Sequence, residues 1–443
     1  MQKRRHFAMS TKIIFGSAKD IITPSIEMSP IGFGVTYGKP FKNYHDDLYV
    51  RTLMLKDSEG ETVILMAFDL LFHDDTLVEA LRNYAYEKFG VPKDNLHIAF
   101  THTHFGPAVK GYNFKHYKDE YENFIFERAC CTIDRAFLST FTGTLKFATV
   151  NGDWNISRRL MQDGVMRFRP NPLGEYDGNL YLFKLEDENG KMRALAVNFA
   201  CHPSNLDSTD YHYSMSSEYP GRLCQKIEGE YYGCNAIFFQ GFGADTKLRR
   251  AGNSATFHGI TPEDCDEVAS AMAHRIKAKL LTNDWQTLPV SLGAKAFQVE
   301  LPLDVYPKEK YEEFFNFYST KRRVELMFDN CKKVLETYDD MPDTLTLSCG
   351  AIQINPDFYI FSMGGEPGIN IATVLRESFP DKTLVCFGYN NAIAYVPSDK
   401  MIEEGGYEAE ESVPEYRLKG KIKLGANKIF CDGFHAAVDS LKH

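Results

Sequence analysis

The stretch ETVILMAFDLLFHDDTLVEALRNYAYEKFGVPKDNLHIAFTHTHFGPA, residues 61–108, decides the fold class. Its first twelve residues form an apolar run of strand character. Val78, Leu81, Ala85 and Phe89 then recur at helical spacing, and Gly90 supplies a stop. Leu96, Ile98 and Phe100 alternate with their neighbours, as in a half-buried strand. Strand, helix and strand at this spacing predict a right-handed crossover. The expected fold class is therefore α/β: a large mixed β-sheet core flanked by helices.

The same stretch ends in chemistry. The second strand runs into His102, Thr103 and His104, and then breaks at Gly106-Pro107. If the strand stays extended to residue 104, both imidazoles point to one side, because side chains alternate with period two. Other strands break in the same way. RALAVNFAC (193–201) leads to His202-Pro203, and NAIFFQ (235–240) to Gly241-Phe242-Gly243-Ala244-Asp245. DFYIFSM (357–363) leads to Gly364-Gly365-Glu366-Pro367-Gly368. TLVCFGY (383–389) leads to Asn390-Asn391, with Tyr395 shortly after. Ligands of α/β sheets bind beyond the carboxyl ends of strands, so these ends predict one convergent site there. Zinc takes imidazole and carboxylate, about four ligands in all, with one position open in catalytic sites. Imidazoles from two strand ends and Glu366 from a third would supply that set. Taken singly, each residue has a plainer reading: a lone histidine is more often structural, and Glu366 could be an exposed turn carboxylate. Gly241 to Asp245 lacks the Lys and Ser/Thr of a phosphate loop.

With 443 residues, 44% of them hydrophobic and 25% charged, the chain reads as an ordinary globular protein. A net charge of −10 argues against a nucleic-acid binder. No run approaches the 18 or so apolar residues of a membrane span, and no signal-length apolar run follows the basic start MQKRRHFAMSTKIIFG. A cytoplasmic location is expected. The ten cysteines are scattered without a Cys-x-x-Cys pair, which fits buried free thiols better than a disulfide framework. Residues 1–12 are expected to be a disordered basic tail and 13–443 one large domain. Within it, 308–338 is a charged, aromatic helical insertion, either a surface feature or a lid over a site.

In order along the chain, these segments resemble the catalytic region of the neutral/alkaline, non-lysosomal ceramidases. FGSAKDIITP (15–24) resembles that family's opening strand. THTHFGPA (101–108) resembles its Thr-His-Thr-His-Ser-Gly-Pro motif, with Phe105 for the serine. NISR (155–158), NFACHPSNL (198–206), FFQGFGADT (238–246), GGEPG (364–368) and AYVPSDKMIEEGGYEAEES (394–412) resemble its later motifs. The resemblance implies one zinc ion held by His102, His202, Glu366 and Tyr395. It places His104, Arg158 and Tyr407 on the catalytic side and Asp245 and Gly241 near the substrate. The residues themselves leave open which of His102 and His104 meets the metal; the resemblance chooses His102. Asp69 is a further candidate for the surrounding shell, with a structural role as the alternative.

The activity implied is hydrolysis of a linear amide, or an ester, by metal-activated water, on a small-molecule or lipid-like substrate. His104 would carry the proton, and Arg158 and Tyr407 would face the oxyanion. Two departures bear on this. Gly241 stands where the family carries a serine, which removes a serine acyl-enzyme route there. The chain is also expected to lack the family's immunoglobulin-like domain, which points towards a substrate smaller than ceramide, such as an N-acyl amino compound or a sugar derivative. A true ceramidase and a non-catalytic, metal-binding homologue are the alternatives.

Overall fold

A computed structural model describes residues 10–36, 38–111, 116–206, 211–320, 325–391 and 394–441. The 61–108 unit folds as read. The strand Thr62–Phe68 pairs in parallel with Leu96–Phe100, and the helix Asp75–Phe89 connects them. Asp74 caps the helix by accepting from the Thr76 N–H, a contact commonly worth about 1 kcal/mol. Gly90 closes it at φ 70°, where only glycine sits without strain. Leu77, Val78, Leu81 and Ala85 are buried against the sheet. Each large aliphatic side chain so buried contributes roughly 1.5–3 kcal/mol.

This unit forms one edge of a nine-stranded mixed sheet. In spatial order its strands are Asn235–Gln240, Met192–Phe199, Asn179–Asp187, Thr140–Asn151, Lys12–Ile21, Tyr49–Lys56, Thr62–Phe68 and Leu96–Phe100; Gln286–Thr287 pairs beside Thr140–Asn151. A second sheet of five strands runs Thr383–Phe387, Phe358–Met363, Thr344–Asn355, Gly293–Val305 and Gly420–Ile422. The two sheets share an apolar core in which Leu65, Ala99 and Phe239 meet Ile352, Ile360 and Val385. Asp75–Phe89 and Asp119–Leu138 cover the first sheet. Ile369–Ser378 and Ala426–Ser440 cover the second. The mixed sheet flanked by helices is as expected. The second sheet, stacked on the first, was not legible in the sequence.

That stacking positions the site. The histidine strands lie at opposite sides of the large sheet, yet its two edges approach one another. The end of Thr383–Phe387 stitches them: Phe100 N–H donates to the Tyr389 carbonyl at 2.9 Å, and Gly388 N–H to the Gln240 carbonyl at 2.9 Å.

One boundary differs from the expected one. The supposed tail already belongs to the fold at its end: Lys12 starts the first strand, and the Ser10 carbonyl accepts from Val290 N–H at 2.8 Å. Residues 1–9 lie outside the described residues. The segment 308–338 forms two helices, Lys308–Ser319 and Glu325–Thr337, packed on each other through Tyr311, Cys331 and Val334. Residues 321–324 lie outside the described ones. Leu326 and Met327 reach the wall of the main cavity, so the insertion is part of the site's surroundings.

Candidate metal centre

A cavity of about 520 Å³ opens where the strand ends meet, and His102, His104, His202, Glu366, Arg158, Tyr395 and Tyr407 all line it. His102 arrives by a different route from the one expected. The strand stops at Phe100, and His102 takes φ 65°, in the left-handed region. Such backbone strain persists only where the surroundings hold it. Here His102 N–H donates to the Leu70 carbonyl at 3.0 Å, and its Nδ1 lies 2.8 Å from the Leu71 carbonyl. The two imidazoles of the pair converge through this turn, not through strand alternation. Their centroids lie 5.0 Å apart, with ring planes at 85°.

His104 is held by Gly32, whose carbonyl lies 2.6 Å from His104 Nδ1. A side chain at residue 32 would put a Cβ 2.2 Å from the His104 carbonyl oxygen, so only glycine permits this approach. In the neutral rings, donation from Nδ1 to a carbonyl leaves Nε2 of both His102 and His104 as a lone-pair donor to a ligand.

The ligand atoms of His102, His104 and His202 all lie within 4.8 Å of one another. Glu366 Oε2 lies 3.2 Å from His102 Nε2 and 3.8 Å from His202 Nε2. His102 Nε2 and Glu366 Oε2 are buried and lack a hydrogen-bond partner. Leaving such groups unpaired in the interior is costly, and a cation between them would satisfy both. The donor set therefore fits a metal ion. His104 and His202 approach through their Nε2 atoms at 2.8 Å.

The charges suit neutral imidazoles. Burial, followed by His102, pushes His104 well below the ordinary histidine value. Burial and then Arg158 do the same to His202. Burial opposes the charge on Glu366, but His102 and Tyr416 outweigh it and hold its carboxyl below the ordinary value. The Tyr416 hydroxyl donates to Glu366 Oε1. Tyr395 is buried beside this group, its ring stacked 6.4 Å from that of His202 and 5.4 Å from the Arg158 guanidinium.

Arg158 donates from Nε to Glu408 Oε1 at 2.8 Å, and Arg159 takes the other Glu408 oxygen at 2.5 Å. Arg158 Nη2 is buried without a partner. Tyr407 donates to Glu415 Oε2 at 2.9 Å, and burial pushes Glu415 up to about 7.

Three sequence candidates do not line the cavity. Asp245 accepts from Ile369 N–H at 2.9 Å and so anchors the start of the helix Ile369–Ser378. A Cβ at Gly241 would stand 3.0 Å from the Ala200 backbone, so close packing accounts for the glycine. Asp69 pairs with the buried Arg51 at 2.6 Å, which favours its structural alternative; the following residues, Leu70 and Leu71, are the ones that hold His102. Sequence reading missed Tyr416, Glu415, Lys247 and Tyr389. Tyr389, whose ring sits 4.4 Å from His102, ends a strand stretch already singled out. Lys247 directly follows the FFQGFGADT segment. Tyr416 and Glu415 carried no periodic or motif signal.

No protein-family model matches the sequence, and no curated protein matches it significantly. Solved structures do match. The chain has the fold of the neutral ceramidases: it superposes on neutral ceramidase from Pseudomonas aeruginosa with a TM-score of 0.70 at 14% identity, over 98% of this chain and 75% of that one. A ceramidase complexed with C2 gives 0.73 at 14% identity, over 98% and 76%. At this identity the likeness establishes the fold alone. It agrees with the family that the ordered motifs resemble.

Proposed function

We propose that the chain is a zinc-dependent, ceramidase-like hydrolase that cleaves a linear amide, or an ester. The observation that carries this reading is the pair of orphaned, convergent atoms, His102 Nε2 and Glu366 Oε2, 3.2 Å apart in a cavity also lined by His104 and His202. His102, His202 and Glu366 would hold the ion, with Tyr395 as a fourth donor. A bound zinc ion would polarise a carbonyl and lower the pKa of water from about 16 to about 7.

The remaining steps belong to the chain's own residues. His104, neutral and fixed through Nδ1 by Gly32, presents Nε2 to accept a proton and pass it to the leaving amine. Arg158 is oriented by Glu408, which leaves Nη2 free to donate to a developing oxyanion. Tyr407, positioned by Glu415, provides a second hydroxyl on that side. Phe33, Val35, Leu326 and Met327 make part of the cavity wall apolar, which suits an acyl chain. Ceramide itself is the second reading, favoured by the shared fold.

The test combines metal analysis of the purified protein with a panel of amides and esters, with and without chelator. About one zinc per chain and chelator-sensitive hydrolysis are expected. A metal-free protein that stays inert after zinc is added would reject the reading. Release of fatty acid from a short-chain ceramide would favour ceramide over smaller amides.

A further inference from the structure

The cavity carries more positive charge than the chemistry above uses. Lys247 lines it, and its amine donates to the Ser204 carbonyl at 2.8 Å and sits 5.7 Å from the centre of the Phe257 ring. Among the described residues no carboxylate forms an ion pair with it, unlike Arg158 and Arg159, which share Glu408. Lys247 and Arg158 sit on neighbouring antiparallel strands, Thr246–Leu248 and Asn155–Gln162. Lys247 pairs with Ile156, two residues before Arg158. The two cations are thus diagonal neighbours on one face, with backbone positions roughly 7–8 Å apart. Burial, and then repulsion from Arg158, pushes Lys247 down to about 8, which still leaves it mostly charged at neutral pH. The buried Glu218 attracts the Lys247 charge but does not outweigh burial and Arg158, so a further negative charge in the cavity would be favoured there.

We propose that the substrate supplies it: an N-acyl amino acid or similar amide whose carboxylate is bound by Lys247, with the Arg158 guanidinium beside it. The inference rests on the hydrolase reading for the scissile bond, but the anion site stands on its own geometry. The apolar wall at Phe33, Val35, Leu326 and Met327 would then take the acyl chain. The carboxylate would lie on the Lys247 side, where a neutral lipid amide has nothing to offer.

The probe is the ketone isostere of N-nonanoylglycine, with a methylene in place of the amide nitrogen, compared with the neutral alcohol that carries a hydroxymethyl group in place of the carboxylate. Neither can be hydrolysed at the ketone, so calorimetry on the purified protein reads binding alone. The carboxylate is expected to bind at least about tenfold tighter, the worth of one charge-assisted hydrogen bond. Lys247→Met and Lys247→Gln should abolish that preference while metal content and melting temperature stay at wild-type values. Equal affinity of the two compounds, binding of neither, or a preference that survives both substitutions would overturn the proposal. Chelator-sensitive cleavage of N-nonanoylglycine is measured separately. Anion preference without cleavage would reject the hydrolase reading and keep the anion site; cleavage of amides without anion preference would do the reverse.

Discussion

His73 and the pair His104 and His202 stand beyond the ends of the large sheet's strands, and they are built for opposite charge states. His73 is 2% exposed and lies between two carboxylates, with Nε2 2.5 Å from Glu122 and Nδ1 3.2 Å from Asp74. Burial opposes its charge, but hydrogen bonds to Asp74 and Glu122 outweigh burial and lift it to about 9. His104 and His202 are buried as well, but their neighbours are other imidazoles and Arg158, so both stay neutral. The same side chain is thus a structural cation at one place and a lone-pair donor at another. Only the second kind can hold a metal.

The largest effect should come from breaking the neutral group. His202→Ala or Glu366→Ala is expected to take the protein from about one zinc per chain to near none, with loss of hydrolysis. His73→Gln should keep the full complement. Metal analysis of the three variants decides this, and zinc retention in both site variants would end the assignment.

Next in size is the support of Glu366. Tyr416→Phe removes the hydroxyl that orients the carboxylate. A loss of about 10- to 100-fold in metal affinity is expected, as for other groups that orient a ligand, and competition with a chromophoric chelator would measure it.

The pH dependence of stability sharpens the contrast. His73 binds its proton more tightly folded than unfolded, so its contribution is complete below pH 6.5 and fades as pH rises through about 9. His73→Gln should therefore cost about 2 kcal/mol at the acid end of that window and little above it, read from urea midpoints. In metal-free protein, His104 and His202 act the other way. Their folded values lie below 6.5, so the unfolded chain binds more protons and stability falls as pH drops through 6.5. Zinc should protect against that acid loss.

The smallest effect concerns the position of the missing serine. Gly241→Ser places a Cβ against the Ala200 backbone and should cost about 1 kcal/mol, with no gain in hydrolysis. An inert wild type that becomes active on Gly241→Ser would show that the zinc-hydroxide route is wrong.

The crossover unit at 61–101 was legible because local spacing and a glycine stop specify it without help from the rest of the chain. The residues at the strand breaks were legible too, since polar chemistry after a dense apolar run stands out in any frame. Asp245 and Gly241 were placed near substrate by motif position, but the fold spends one on a helix start and the other on close packing. Tyr416 and Lys247 were missed because their surroundings depend on partners far away in sequence, Glu366 for the one and Arg158 on the neighbouring strand for the other.

By itself the sequence determined the α/β class, the strand ends and the residue types able to grip a cation. These follow from periodicity and side-chain chemistry, which act over a few residues. Tertiary structure alone decided that two edges of one sheet meet, through the Gly388–Tyr389 stitch, and that His102 turns inward at a positive φ. It also decided which histidine is charged. A histidine's charge is set by whichever carboxylates or cations the folded chain brings within a few ångströms, and distance along the sequence carries no record of that.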